Sequence, residues 1–435
     1  MKLSALKYTV LSWTSGLTMV ILLLMPFHAF LTVWGSTLVG HYTALRLWKE
    51  ALLMLCIVGV MYLIATDHKI RSHTMSRRLV WLILAYMLLN IVWGFLAYNE
   101  HQITAKALGY GLIVNLRFLA FFLVTWAIAL RLGRLRSNWQ RLLYGPAAIV
   151  VAFAIIQVLF LTPRFLEHFG YSMYTILPFQ YVNNNSSFLR AQSTLRGANP
   201  LGAYLIIPIT AMTVLLLSKA RQWKHVVFYV ASLLALFFTF SRGAWIGLVL
   251  SVLAVLCVQR RSFIIRHIYW IATVALILVV CMGVGLRQNS QLENVVLHTE
   301  TGSNVPITSN EAHASALRSG LHDLKHDPLG SGPGTAGPAS VYNNKPRIAE
   351  NYFIQIGQET GWLGLAMFLL INAGVCYLLW LRRSDPLALG LFASLIGLTF
   401  INLLSHAWAD DTLAYVWWGL AGIAMVSATK IRKDA

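Results

Sequence analysis

Acidic residues are scarce in this chain of 435 residues: Asp and Glu number 15, against 34 Lys and Arg. Charge of either sign makes up only 11%, where a soluble domain of this length carries roughly 25%. Such scarcity excludes an ordinary water-facing surface, and the mean hydropathy of +0.66 points to lipid. Cysteine is almost missing. The four present, Cys56, Cys257, Cys281 and Cys376, fall inside apolar runs and read as small core residues, not as disulfides or metal ligands. A small-residue cleavage site is also missing after the first apolar run, which follows Lys2 and Lys7 and is too long for a signal peptide; it reads as a retained anchor. No internal repeat or low-complexity tail stands out, so residues 1–435 are expected to form one integral-membrane domain.

Long apolar runs are what the chain does have. Twelve lie near 9–33, 43–66, 79–98, 107–131, 142–162, 199–218, 224–240, 244–258, 265–286, 358–381, 387–406 and 412–429. A helix of about 20 apolar residues crosses the roughly 30 Å of hydrocarbon in a bilayer. The fold class expected is therefore an all-α polytopic membrane protein of about twelve helices.

The net charge of +19 needs no nucleic acid to explain it. With the N-terminus inside, basic residues fill every alternate connection: Lys69, Arg71, Arg77 and Arg78; Arg131, Arg134, Arg136 and Arg141; Lys219, Arg221 and Lys224; Arg260, Arg261 and Arg266; Arg382 and Arg383; and the tail Lys430, Arg432 and Lys433. That is the positive-inside bias, and it places both termini in the cytoplasm.

Two long connections, 163–198 and 287–357, then face outward, and the second is the natural place for chemistry. Its stretch EAHASALRSGLHDLKHDP (311–328) has helical spacing, and the LGSGPGTAGP that follows must be irregular. On this same face, where arginine is disfavoured, stand Arg190, Arg196, Arg242 and Arg318. Arg242 sits in FFTFSRGAWIG (237–247), with only Ser241, Arg242 and Gly243 between two apolar runs. One reading is a snorkelling helix-end arginine. The other is a guanidinium that forks onto a membrane-borne phosphate or pyrophosphate.

LRGANPLGAYL, FTFSRGAWIG, LRSGLHDLKHDPLGSGPG and AENYFIQIGQETGWLG occur in that order across roughly residues 190–370. Together they resemble the O-antigen ligase and O-antigen polymerase (Wzy-type) superfamily of integral-membrane glycosyltransferases. The resemblance implies a GT-C-like fold in the bacterial plasma membrane and a polyprenyl-pyrophosphate-linked glycan donor. A glycan or lipid acceptor, no cofactor and no metal are implied as well. By the same resemblance, Arg196, Arg242 and Arg318 hold the pyrophosphate and stabilise the leaving group. The ligases typically carry His-Asn where this chain has Glu350-Asn351. An acidic residue there is polymerase-like, and a carboxylate can take the proton of an attacking sugar hydroxyl. Glu350 is thus the nominated general base of an inverting transfer, with a helix-start acid and an Asn351 cap as the alternative.

Other candidates stand beside these. His313 is a rival base. His322 and His326 are four apart, a spacing that metal sites use, but lack a zinc-protease pattern and a third ligand. Arg117, inside the fourth run, pairs either with a phosphate or with Asp410 or Asp411. Arg46, Lys49 and Glu50 read as snorkelling residues. Most of the Trp and Tyr residues read as interfacial belt, with Tyr342, Tyr352 and Trp408 as unranked candidates for stacking on sugar; NNNSS (183–187) reads as a polar loop. The rival function is a transporter or flippase for an anionic solute or lipid-linked glycan, which shares the basic outer mouth; no matched inverted halves appear in the sequence.

Overall fold

The structure is a computed structural model and describes residues 5–183, 185–218, 222–262, 265–266 and 309–426. The helices are α1 Ala5–Leu24, α2 His28–Val39, α3 Tyr42–Leu45, α4 Trp48–Thr66, α5 His68–Met75, α6 Arg78–Asn99, α7 Ala105–Ala129, α8 Gly133–Ser137 and α9 Trp139–Leu159. After a hairpin come α10 Ala198–Leu216, α11 Trp223–Phe238, α12 Arg242–Gln259, α13 Ser309–His326, α14 Tyr352–Leu381, α15 Pro386–Leu404 and α16 Asp411–Ala424. Among the described residues, nine spans are long and apolar enough to cross a membrane, and Trp223–Phe238 is a shorter apolar helix. The architecture is that of an all-α polytopic membrane protein, and eleven of the twelve predicted runs are helices. All but the first two residues of the run at 265–286, the loop residues 287–308, Lys2, Cys281, Lys219, Arg221 and the basic C-terminal tail lie outside the described residues.

Several boundaries differ from the sequence reading for local reasons. Pro26 opens a 3-10 turn at Met25–Phe27 and divides the first run into α1 and α2, because proline offers no N–H to the preceding turn. The last long outer connection ends at Tyr352, not 357: Asn351 Oδ1 accepts the Ile354 N–H at 3.0 Å and starts α14 there. Gly361 then breaks α14 in two with φ 66°; a Cβ on it would meet Pro328 O at 2.4 Å. NNNSS is no plain loop. Its residues 185–187 open the second strand of an antiparallel hairpin, β1 Gln180–Val182 with β2 Asn185–Arg190, in which Gln180 faces Arg190. Cys257 is exposed on α12 and not a core residue, whereas Cys56 is buried; no disulfide joins the described cysteines.

Helices without charged faces associate in lipid through close backbone approach at small residues. A Cβ on Gly397 of α15 would meet Gly247 O of α12 at 2.1 Å, and one on Gly422 of α16 would meet Thr125 Oγ1 of α7 at 2.0 Å. These contacts bring α7, α10, α12, α15 and α16 into one buried centre.

The bundle has two distinct ends. At one, Arg131 binds Asp67 with two hydrogen bonds of 2.8 and 2.7 Å, Arg136 pairs with Asp385, and Arg260 donates to Leu217 O. The other end gathers the longer connections. Thr104 donates to Tyr342 O, Asn351 to Leu403 O, and Thr194 to Pro26 O.

Candidate functional site

Backbone strain marks the second end. The six described non-glycine residues with left-handed φ all lie there: His41, His101, Asn183, Ser193, Phe240 and Glu350, with φ between 49° and 58°. Each such residue costs on the order of 1–3 kcal/mol, and such strain gathers at functional sites. Ser193 stands just before Arg196, Phe240 just before Arg242, and Glu350 just before Asn351.

Strand β2 carries Arg190 onto the break between α11 and α12. Ala191 N–H donates to Phe238 O at 2.8 Å, Arg190 Nε donates to Thr239 O at 2.8 Å, and its Nη2 reaches Asn199 Oδ1 at 2.6 Å. Arg242 is the first residue of α12 and half-buried. Burial, and after it the Arg242 charge, push Arg190 down to about 10. Two guanidinium groups held close at the first turns of α10 and α12 concentrate positive potential, to which the helix dipoles add.

A second group forms at the same end of the bundle. His313 on α13 pairs with Glu350, the residue before the Asn351 cap. That hydrogen bond holds the Glu350 carboxyl below its ordinary value, with burial opposing. His406, between α15 and α16, is pushed down to about 4 by burial and then by the Arg196 charge, while Glu350 pulls the other way. Arg196 in turn lies 3.7 Å from Asp410, which caps α16 by accepting the Leu413 N–H. Glu350, His406 and Arg196 thus share one electrostatic neighbourhood. His406 was missed in the sequence; its signal was the polar run SHAWADD between two apolar segments.

Arg318 is not drawn into this group. It is exposed, and it makes no hydrogen bond or ion pair among the described residues. At 3.6 residues per turn it lies on the side of α13 opposite Gly320, which packs against Ala349 and Ile354.

Arg117 is bound to protein carboxylates. It pairs with Asp411, lies 3.4 Å from Glu50, and donates to Ala409 O at 2.8 Å. Lys49 joins the same cluster, 3.0 Å from Glu50 and 3.3 Å from Asp411, and His28 lies 3.0 Å from Asp411. The snorkelling reading of Lys49 and Glu50 is corrected: Lys49 is only 1% exposed, because two carboxylates face it inside the bundle. Arg46 donates to the Tyr110 hydroxyl, also within the protein.

Glu359 was a further omission. Buried in α14, it accepts Asn115 Nδ2 at 2.6 Å and Gly334 N–H at 2.8 Å, tying the Gly-rich segment to α7. Its signal was a lone acid in an otherwise uncharged helix. Of the aromatic candidates, Tyr352 and Trp408 are fully buried and unavailable to a sugar. Tyr342 is occupied by Lys106 over its ring at 4.2 Å. His322 and His326 stack at 3.9 Å, and no group of three metal-ligating side chains is arranged around an ion among the described residues.

Residues 227–369 match the protein-family model described as O-antigen ligase. The match runs from α11 through the Arg242 break, α13 and Glu350 to the middle of α14, and leaves Arg190 and Arg196 outside it. Among curated proteins none matches the chain. A bundle of apolar helices whose irregular end includes these matched segments agrees with that finding: over residues 227–369, about a third of its length, the chain is similar to the O-antigen ligase family.

Proposed function

We propose that the chain transfers or polymerises a polyprenyl-pyrophosphate-linked glycan at the outer face of a bacterial plasma membrane, with Glu350 as the general base of an inverting reaction. One observation supports the reading: Arg196 and the His313-paired Glu350 both act on His406, at the end of the bundle that also holds Arg190 and Arg242. In this reading an acceptor hydroxyl attacks the anomeric carbon and gives its proton to the Glu350 carboxylate. The bond from that carbon to the pyrophosphate oxygen breaks, and its electron pair stays on the oxygen. Arg196 and Arg242, with Arg190 beside Arg242, stabilise the charge that develops, a preorganised electrostatic role. Arg318 meets the donor further out on α13. The basic end of the bundle faces the cytoplasm, the two long connections face outward, and one domain carries the whole site.

The test is a reconstituted reaction with a polyprenyl-pyrophosphate oligosaccharide in chelator, read by mass spectrometry. Wild type should give a ladder of repeats, which marks a polymerase, or a single transfer to an added lipid acceptor, which marks a ligase. Glu350→Gln should lose about 100-fold or more in rate, the lower end of general-base contributions, and Arg242→Ala a comparable factor. No transfer with any acceptor sinks the assignment and puts a transporter in its place.

A further inference from the structure

Next to Arg196, but away from Glu350, lies a cavity of about 370 Å³. It opens between α2, α3, the turn before the hairpin, and the start of α16, and its size is within the range of small-molecule sites. Its polar lining has capacity left over. The Arg46 side chain makes one hydrogen bond, to Tyr110, and no other among the described residues. The Tyr42 hydroxyl makes none among them, and Gln180 uses its carbonyl on Ala198 N–H, which leaves its amide donors. Asp410 caps α16 with one oxygen and holds the other 3.7 Å from Arg196. Asp411, already matched by Arg117 and Lys49, forms part of the floor, and Ile176 supplies an apolar wall.

Donors and acceptors therefore alternate around one space. A phosphate offers acceptors only and would lie against two carboxylates. Sugar hydroxyls each donate and accept, and the ring presents apolar faces to Tyr42 and Ile176. We propose that this cavity is a glycan subsite that seats an uncharged sugar residue, with Arg196 as the wall shared with the Glu350 group. The inference rests on the transferase reading in making that sugar the neighbour of the reacting bond.

The test uses the full chain in lipid nanodiscs and saturation-transfer NMR. The probes are neutral mono- and disaccharides (hexoses, N-acetylhexosamines and 6-deoxyhexoses), with inorganic pyrophosphate as competitor. At least one saccharide should bind, and pyrophosphate should not displace it. Ile176→Trp should weaken binding at least about tenfold by filling the cavity, and Asp410→Asn, which keeps the cap, about tenfold, as the loss of a hydrogen bond to a charged group would. Glu350→Gln should leave it unchanged. The subsite is overturned by no saccharide binding, by displacement with pyrophosphate, or by binding indifferent to Asp410→Asn, a near-isosteric change that keeps the fold. Saccharide binding without transfer removes the transferase reading and leaves the subsite. Transfer undiminished in both cavity variants removes the subsite and leaves the transferase.

Discussion

Glu350 joins a strained backbone to a partnered side chain, and the combination has a measurable consequence. Its φ of 52° persists because Asn351 is fixed on both sides, capping α14 and donating to Leu403 O at 3.0 Å. The His313 hydrogen bond is the largest influence holding Glu350 ionised below the ordinary carboxylate range. A base with a lowered pKa keeps its activity to lower pH and loses it as pH falls through that value. In His313→Asn the lowering cause is gone, so the acid limb of the rate profile should move to higher pH. An unmoved limb would show that Glu350 is not the titrating base. Arg196 and Arg242 stood out in the sequence as candidates because arginine is unusual in a connection expected to face outward, and Glu350 stood out through the motif resemblance. The pairing of Arg117 with Asp411 was open, because residues nearly three hundred positions apart in the chain carry no mutual pattern.

At the scale of elements, the Gly-rich segment and the kink in α14 form one joint. Gly334 has φ 93°, and a Cβ on it would meet Ala107 O at 2.2 Å; Gly361 takes φ 66° under Pro328 O. Gly361→Ala should lower stability by at least ~1 kcal/mol, the cost of placing a side chain in left-handed backbone, with the steric contact adding to it. Gly243→Ala is the control, since a Cβ there meets nothing nearer than Leu404 Cδ1 at 3.8 Å. Thermal unfolding in detergent compares the two, and equal midpoints would refute the joint. The helix at 311–328 and the irregular LGSGPGTAGP were readable from spacing and glycine content. The early start of α14 was not, since IQIGQETG reads as a polar approach to a span until Asn351 is seen to cap it.

Among the described residues, the basic connections around Arg131, Arg136 and Arg260 stand at one end of the bundle and the strained connections at the other. If that asymmetry sets the orientation, Lys345→Cys in a chain whose own cysteines are replaced by alanine should react with a membrane-impermeant thiol reagent on intact cells. Arg71→Cys should react only after permeabilisation. The reverse pattern would invert the topology and place the Glu350 group in the cytoplasm.

Hydrophobic runs and their basic connections determined, without any tertiary information, that this chain is a polytopic helical membrane protein. Both signals are local, because a span needs only its own consecutive apolar residues to satisfy its backbone and cross the lipid. Four ordered motifs carried the resemblance to the O-antigen ligase family in the same local way, and a model of that family matches residues 227–369. Which side chains meet was decided only by packing. Close approach at Gly397 and Gly422 set the neighbours of α15 and α16, and so brought Asp411 to Arg117 and Asp410 to Arg196. The order of residues along a chain does not carry contacts of that kind; the fit of helices against one another does.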